Sequence, residues 1–183
     1  MERQGQLVAA ELVTSRLVLT PLAVADAEDM ADVLSDPALY AHTGGSPPTL
    51  EELRRRYRRQ VDGPWPPGQM WLNWVVRLPV HQPIGYVQAT VTEQEADLAW
   101  VITTDHQRRG HATEAARGVA EWLERRGIRR LTAHVAPGHA GSERVATAVG
   151  MQPSGSFDDD GEQVWLLDTI PGPGTVDTQT RKP

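Results

Sequence analysis

The stretch Asp105–Gly127, DHQRRGHATEAARGVAEWLERRG, sets one glycine among two arginines and a histidine, directly ahead of a long amphipathic segment. Ala112, Ala115, Ala116, Val119, Trp122 and Leu123 recur at helical steps. Thr113, Glu114, Arg117, Glu121 and Glu124 fill the opposite side, which predicts a helix over Ala112–Arg126. Gly127 stands where a helix stop belongs, so Gly110 lies in the loop that opens the helix. Such a mouth offers unpaired N–H groups and the positive end of a dipole, and its natural guest is an anion. Without a Cβ, Gly110 lets a ligand approach the main chain. Arg108 and Arg109 add charge-assisted hydrogen bonds worth about 1.5–3 kcal/mol each. The loop suits a diphosphate; a helix cap with solvated arginines is the plainer alternative, and the loop alone leaves both open. GxxxxGK[ST] is absent, and a GxGxxG loop would need glycines where Ala112 and Ala115 stand.

Upstream, SRLVLTPL (Ser15–Leu22) alternates as a strand does, and Val24–Ser35 reads as a helix with Ala27, Met30, Ala31 and Leu34 on one face. HTGGSPP (His42–Pro48) is a connection. Thr49 followed by Glu52 is a capping-box pattern opening a second helix, with Leu50, Leu53, Tyr57 and Val61 inward. DGPWPPG (Asp62–Gly68) ends it. Met70–Leu78, Ile84–Thr92 and Ala96–Thr103 are expected strands, the first two joined as a hairpin. After the long helix come a strand over Arg129–Ala136, with Leu131, Ala133 and Val135 facing one way, and a short helix over Ser142–Val149. Strands Gln152–Phe157 and Gln163–Thr169 flank the acidic turn DDDGE. The order β-α-α-β-β-β-α-β-α-β-β forces one parallel pair, Ala96–Thr103 with Arg129–Ala136, into an otherwise antiparallel sheet. The expected fold is mixed α/β, one domain over residues 1–170 followed by a disordered tail, 171–183.

Composition narrows the function classes. With 183 residues, 39% hydrophobic and 23% charged, the chain fits an ordinary globular domain. No apolar run approaches the roughly 18 residues of a membrane span, and the start MERQGQLVAAELVTSRL has no apolar signal core, so a cytoplasmic protein is expected, with no membrane partner. The absence of cysteine excludes disulfides, thiol nucleophiles and cysteine-held zinc. The six histidines form no HxxxH or HExxH pair, which gives a metal no support. A net charge of −6 argues against nucleic acid and suits a cationic small molecule or peptide amine. The only lysine is Lys182, so the folded body has no catalytic lysine. RRRYRR (Arg54–Arg59) reads as a solvated helix face braced by Glu51–Arg55 and Glu52–Arg56 pairs, with a binding patch as the alternative.

QRRGHATEA (Gln107–Ala115) resembles the Q/R-x-x-G-x-G/A signature of the GNAT N-acetyltransferases, with Ala112 in the last small position. SRLVLTPL, SDP (Ser35–Pro37), PIGYV (Pro83–Val87) and the terminal GM…GEQVWLL fall in the order of that family's RimJ/RimL-like branch, and the likeness runs from about Ser15 to Ile170. The resemblance implies acetyl-CoA as co-substrate, no metal, and an amine acceptor, either a small cationic amine or a protein N-terminus. Non-catalytic acyl-CoA binding is the alternative; dimers are common among relatives, which makes a homodimer conceivable. It implies that the two parallel strands splay apart, that Val101, Ile102 and Thr103 pair with the pantetheine arm, and that Gln107, Arg108, Arg109, Gly110, His111 and Ala112, with Thr113, hold the pyrophosphate. The acetyl group is expected beside a strand bulge at Leu98–Trp100.

Ser142 fills the serine place of the family's N-x-x-S helix start, here HAGS, as donor to the leaving thiolate; a plain helix cap is the alternative. His139 replaces the usual asparagine and adds a titratable ring as a second candidate base. Asp97 stands where the branch carries a carboxylate, as general base through a relay water; the alternative is an exposed carboxylate at a strand edge. Trp100 replaces a family tyrosine and either walls the acceptor pocket or packs. Tyr40, Trp65, Trp71 and Trp74 are aromatic candidates for that pocket, though such residues are most often core. Asp158 and Asp159, with Asp160 and Glu162, form an acidic lip for a cationic amine, or only a solvated turn.

Overall fold

In the computed structural model of the chain, residues 7–42, 44–64 and 68–169 are described. Trp65 and the expected tail, 171–183, lie outside them. Eight strands form one sheet in the order β1-β2-β3-β4-β5-β6-β8-β7. They are β1 (Leu12–Val13), β2 (Val18–Pro21), β3 (Met70–Arg77), β4 (Pro83–Thr92), β5 (Glu95–Ile102), β6 (Arg130–Val135), β7 (Gln152–Phe157) and β8 (Gln163–Asp168). Four helices accompany them: α1 (Ala27–Val33), α2 (Leu50–Asp62), α3 (His111–Glu124) and α4 (Ala140–Val149). All strand pairs are antiparallel except β5 with β6, as the element order requires.

The period-2 and period-3.6 patterns place the sheet between two apolar layers. Ala115, Val119, Ala120, Trp122 and Leu123 of α3 pack with Leu19, Leu72, Trp74, Val87, Ala89, Leu98 and Leu131 on one face. Ala27, Met30, Leu34, Leu53 and Tyr57 pack on Val75 of the other. Burying one such Leu or Val contributes about 1.5–3 kcal/mol, and the sheet's two-sided pattern fixes which face each strand residue serves. Asp97, Ala99 and Val101 of β5 therefore face the α1–α2 side, and Ala96, Leu98 and Ile102 the α3 side.

Several sequence expectations shift. A two-residue β1 pairs with β2 ahead of the first expected strand; it is too short for alternation to reveal it. Val24–Asp26 is a 3-10 turn leading into α1, and Pro37–Tyr40 another, started by Asp36, whose carboxylate accepts from Ala38 N at 2.8 Å. The Thr49–Glu52 capping box forms in full, but Val61, expected inward, is 52% exposed in the last turn of α2. The braces expected along α2 do not close among the described residues: Glu52 is taken by its Thr49 partner, and Arg54 pairs instead with Glu28 of α1 at 2.8 Å. Of PIGYV, Gly85 has a steric reason: a Cβ there would lie 2.0 Å from the Val101 carbonyl oxygen, so only glycine lets β4 lie so close to β5. Among the described residues no helix is long and apolar enough to cross a membrane.

Candidate functional site

The parallel pair is brief. Register holds only for Glu95–Arg130, Ala96–Leu131 and Asp97–Thr132. Beyond Asp97 the two strands part: β5 continues against β4 alone, and β6 against β8 alone. The β6-facing edge of Leu98–Ile102 is thus left without a strand partner, and a V-shaped gap opens toward the start of α3. The expected bulge at Leu98–Trp100 is absent, since β4 and β5 stay in unbroken register from Gly85–Ile102 to Thr92–Glu95. The divergence of β6 opens the gap without one.

At the top of that gap the chain turns through Thr104–His106 into the glycine loop. Arg108 and Gly110 both adopt positive φ, 57° and 80°, and Gly110 is the N-cap residue of α3, with no side chain capping the helix. The first α3 amide to reach an acceptor is that of Glu114, to the Gly110 carbonyl at 3.0 Å. Among the described residues no acceptor meets the backbone N–H groups from Arg108 to Thr113. Successive free amides at a helix start, two of them in left-handed residues, form a concave anion site. A non-glycine residue at φ 57° costs of order 1 kcal/mol or more, a strain that sits where a ligand would use it. Two side chains of the loop turn away from the mouth. Gln107 turns inward, donating Nε2–H to the Ile102 carbonyl at 2.9 Å. His111 is buried, and its Nδ1 donates to the His106 carbonyl at 3.2 Å. Burial, and then the nearby Arg16 and His106, hold its pKa below the ordinary histidine value against that hydrogen bond. Only its backbone faces the mouth.

Arg16 is a cation at this mouth that the sequence did not disclose. Its Nη1 donates to the Arg109 carbonyl at 3.0 Å, and its Nε pairs with Glu114 at 2.7 Å. Glu114 also takes the Thr14 hydroxyl at 2.6 Å and the Arg16 amide at 2.8 Å, so the β1–β2 link is strapped to the first turn of α3. A groove of about 850 Å³ runs between that link and α3; it shares Gly110 with the loop but contains neither Asp97 nor Ser142.

At the crotch of the V stands Asp97. It is on a central strand rather than a sheet edge, with its side chain 46% exposed. Its carboxylate accepts from the Thr132 hydroxyl at 2.9 Å and lies 3.6 Å from His134 Nε2. Burial raises its pKa above the ordinary aspartate value, against the opposing pull of Thr132 and His134. The other nitrogen of His134, Nδ1, meets Asp158 at 2.6 Å. Asp158 is the first residue of the acidic turn, and its second oxygen, Oδ1, accepts the amides of Asp160 and Glu162 at 3.0 and 2.8 Å. Those contacts, the Glu162 amide first, hold its pKa below the ordinary value, while burial and then Asp158 push Glu162 up. The DDDGE turn is therefore an organised arm that grips β6. His134 was missed in the sequence, although a signal existed: Leu131, Ala133 and Val135 point to the core, so Thr132 and His134 must share the other face with Asp97.

The remaining candidates are scattered. His139 is the N-cap residue of α4 and Ser142 its third helical residue, so Ser142 is not the cap. The His139 ring stacks on His42 at 4.2 Å, and burial, then His42, lower its pKa. Tyr40 spends its hydroxyl on the Leu34 carbonyl at 2.9 Å. Trp71, 37% exposed, shares Asp97's face: register sets Trp71, Thr90, Asp97 and Thr132 in one row across four strands. Trp74 is wholly buried, and Trp100 packs toward the α3 face, away from that row. Asp159 is exposed in the turn. Among the described residues no group of three or more His, Asp or Glu side chains gathers as metal ligands.

Known proteins of this architecture bear on the gap. The fold is similar to that of an acetyltransferase of the GNAT family from Bacillus anthracis, at 19% identity and TM-score 0.72, covering 87% of this chain and 99% of that one. It is similar to an aminoglycoside acetyltransferase solved with coenzyme A, at 15% identity and TM-score 0.70, covering 83% and 94%. A spermidine N-acetyltransferase chimera, in part from Vibrio cholerae, gives 16% identity and TM-score 0.69 over 85% and 96%. At these identities the likenesses establish the fold. No curated protein matches the sequence. The family description "Acetyltransferase (GNAT) domain" does match, over residues 16–152, more than half of the chain and all of the glycine loop, the parting strands and α4. The chain belongs to the GNAT acetyltransferase family.

Proposed function

We propose that the protein is an acetyl-CoA-dependent N-acetyltransferase of the RimJ/RimL-like branch whose acceptor is a small cationic amine. The observation that carries this reading is the parting of β5 and β6 after Asp97, directly beneath the free amides of the glycine loop. Residues and ligand fit: the amides from Arg108 to Thr113 with Arg16, Arg108 and Arg109 suit the pyrophosphate, and the gap-facing edge of β5 about Val101–Thr103, where Gln107 Nε2 holds the Ile102 carbonyl, lacks a strand partner and suits an extended pantetheine arm. When bound, acetyl-CoA supplies a thioester carbon as electrophile and a thiolate as leaving group.

The acceptor reaches the gap from the α1–α2 face, where Asp97, Trp71 and the Asp158–Glu162 arm stand. An amine arrives as an ammonium, and Asp97, kept basic by its raised pKa, takes the proton, directly or through a water. The nitrogen attacks the thioester carbon, the carbon–sulfur bond breaks, and the Ser142 hydroxyl donates to the departing sulfur while recovering the second proton that the acylated nitrogen sheds. Proton transfers of this kind are worth about 10²–10⁴-fold each. His139 is engaged in its stack on His42, with its pKa lowered by burial and then by that ring, so the base role is given to Asp97. Asp158 and Asp159 favour a cation. Aminoglycosides and spermidine, the substrates named for two of the similar structures, are themselves polycationic amines.

The test is a thiol-release assay with acetyl-CoA against a panel of polyamines, aminoglycosides and peptides with free N-termini. Turnover with a polyamine or aminoglycoside supports the proposal, and turnover with peptides alone moves the acceptor to a protein N-terminus. Tight acetyl-CoA binding without turnover by any amine, unchanged by Ser142→Ala, would leave a non-catalytic acyl-CoA-binding protein.

A further inference from the structure

We propose that His134 is the proton outlet of the acetyl transfer, taking the acceptor's proton from Asp97, and that Asp158 is the positioning residue that keeps its ring in the required tautomer. This rests on the acetyltransferase reading and names the part of the site that completes it. The Asp158 carboxylate can only accept, so at 2.6 Å the proton between it and the ring belongs to His134 Nδ1. Nε2 is then left as a bare lone pair aimed at Asp97 Oδ1, 3.6 Å away. That distance is beyond hydrogen-bond reach. Once Asp97 has received a proton from the ammonium it becomes a donor, and the gap can close to about 2.8 Å.

The proton then passes from Asp97 to Nε2, leaving Asp97 ionised for the next acceptor. The imidazolium lies between two carboxylates and is exposed enough to release the proton to water. In balance, the ammonium nitrogen sheds two protons, one through Asp97 and His134 to solvent and one by way of Ser142 to the departing sulfur, the nitrogen–carbon bond replaces the carbon–sulfur bond, and free thiol and one solvent proton result. The charged and polar groups around the ring are Asp97, itself bonded by Thr132, at the fork, and Asp158 and Glu162 of the turn, with apolar Val164 paired opposite on β8. The turn is preorganised for the task, because the amides of Asp160 and Glu162 pin one Asp158 oxygen and so aim the other at the ring.

His134→Gln keeps a side chain of similar reach and removes the titration. With an acceptor identified by the amine panel, kcat/KM at neutral pH should fall about 100-fold. The loss should shrink as pH rises and the amine arrives neutral, and acetyl-CoA affinity should not change. In His134→Ala, added imidazole should restore part of the rate, which no structural role explains. Asp158→Asn should lower kcat, with a rise in KM for a cationic amine from the lost charge, and Asp158→Glu should recover part of the kcat. If the wild type turns over an amine and His134→Gln stays within about twofold of it from about pH 6 to about pH 9, the proton outlet is refuted. If the wild type acetylates no amine while still binding acetyl-CoA, the acetyltransferase reading fails instead, a different and separable result.

Discussion

Gly110→Asp and Gly110→Asn, made side by side, isolate the charge at the mouth of α3. Both residues tolerate a left-handed backbone better than other side chains do, so at φ 80° the two variants share the conformational strain and differ by one charge. A Cβ at this position would come 3.3 Å from Arg16 Nη2, which places the new carboxylate beside the very cation we assign to the phosphates. At about 5 Å from a diphosphate bearing two charges, it adds about 1.7 kcal/mol of repulsion at the dielectric constant of water, and about 6.6 kcal/mol at an effective value of about 20. Each ~1.4 kcal/mol is a factor of ten, so even the smaller figure predicts at least tenfold weaker acetyl-CoA binding for the aspartate than for the asparagine. Calorimetry at about 0.01 M salt, where the Debye length is about 30 Å, reads the full effect; at about 1 M it should shrink sharply. Thermal unfolding of both variants should show them folded and of similar stability. Equal affinities for the two variants at low salt would remove the phosphates from this loop.

Other parts of the structure respond to single changes in predictable ways. Gly85→Ala puts a Cβ where the Val101 carbonyl stands, 2.0 Å away, and should cost about 3 kcal/mol or more in chemical denaturation, because β4 and β5 must separate. Asp97→Asn should lower kcat about 100-fold or more while leaving the melting temperature unchanged or raised. A carboxylate whose folded pKa is raised loses its stability contribution as pH climbs through that pKa, so at neutral pH the charged form is a cost that the amide avoids. Clear destabilisation would contradict this. Burial works against Glu114, yet the Thr14 hydroxyl and the amide and side chain of Arg16 hold its pKa below the ordinary value. Its contribution is therefore present above about pH 4.5 and lost as pH falls through the lowered pKa. Glu114→Gln should cost about 1–3 kcal/mol at neutral pH in urea denaturation, and the difference from wild type should vanish in acid.

The elements were legible where one periodicity ran long enough. The six apolar positions of α3 and the capping box of α2 settle those helices locally, and alternation settles β3 to β6. What the sequence held back is what depends on residues far apart in the chain. Arg16 reaches the glycine loop from 93 residues away, and Thr132 meets Asp97 across 35. No local pattern encodes such pairs. His134 is the instructive case. The alternation that buries Leu131, Ala133 and Val135 already sends it to the other face, and the element order already makes its strand the parallel neighbour of β5. Those two facts together bring a histidine beside Asp97 before any coordinate is known. Only the reach of the acidic turn, set by the irregular pairing between Pro153 and Phe157 of β7 against β8, needed the structure.

A carboxylate at the crotch of the fork explains why this site would tolerate a cost in stability. Asp97 is the last β5 residue with a β6 partner, so it marks where the strands stop holding each other and a ligand can begin. A leucine or valine there would pack better and zip the strands further, removing both the base and the gap. The charge that burial penalises is supported on one side by Thr132 and faced on the other by His134, which is itself anchored by a turn stabilised through its own amides. In the proposed mechanism, opening the sheet and activating an amine depend on the same residue, and a change that makes the protein sturdier at this point should make it a poorer catalyst.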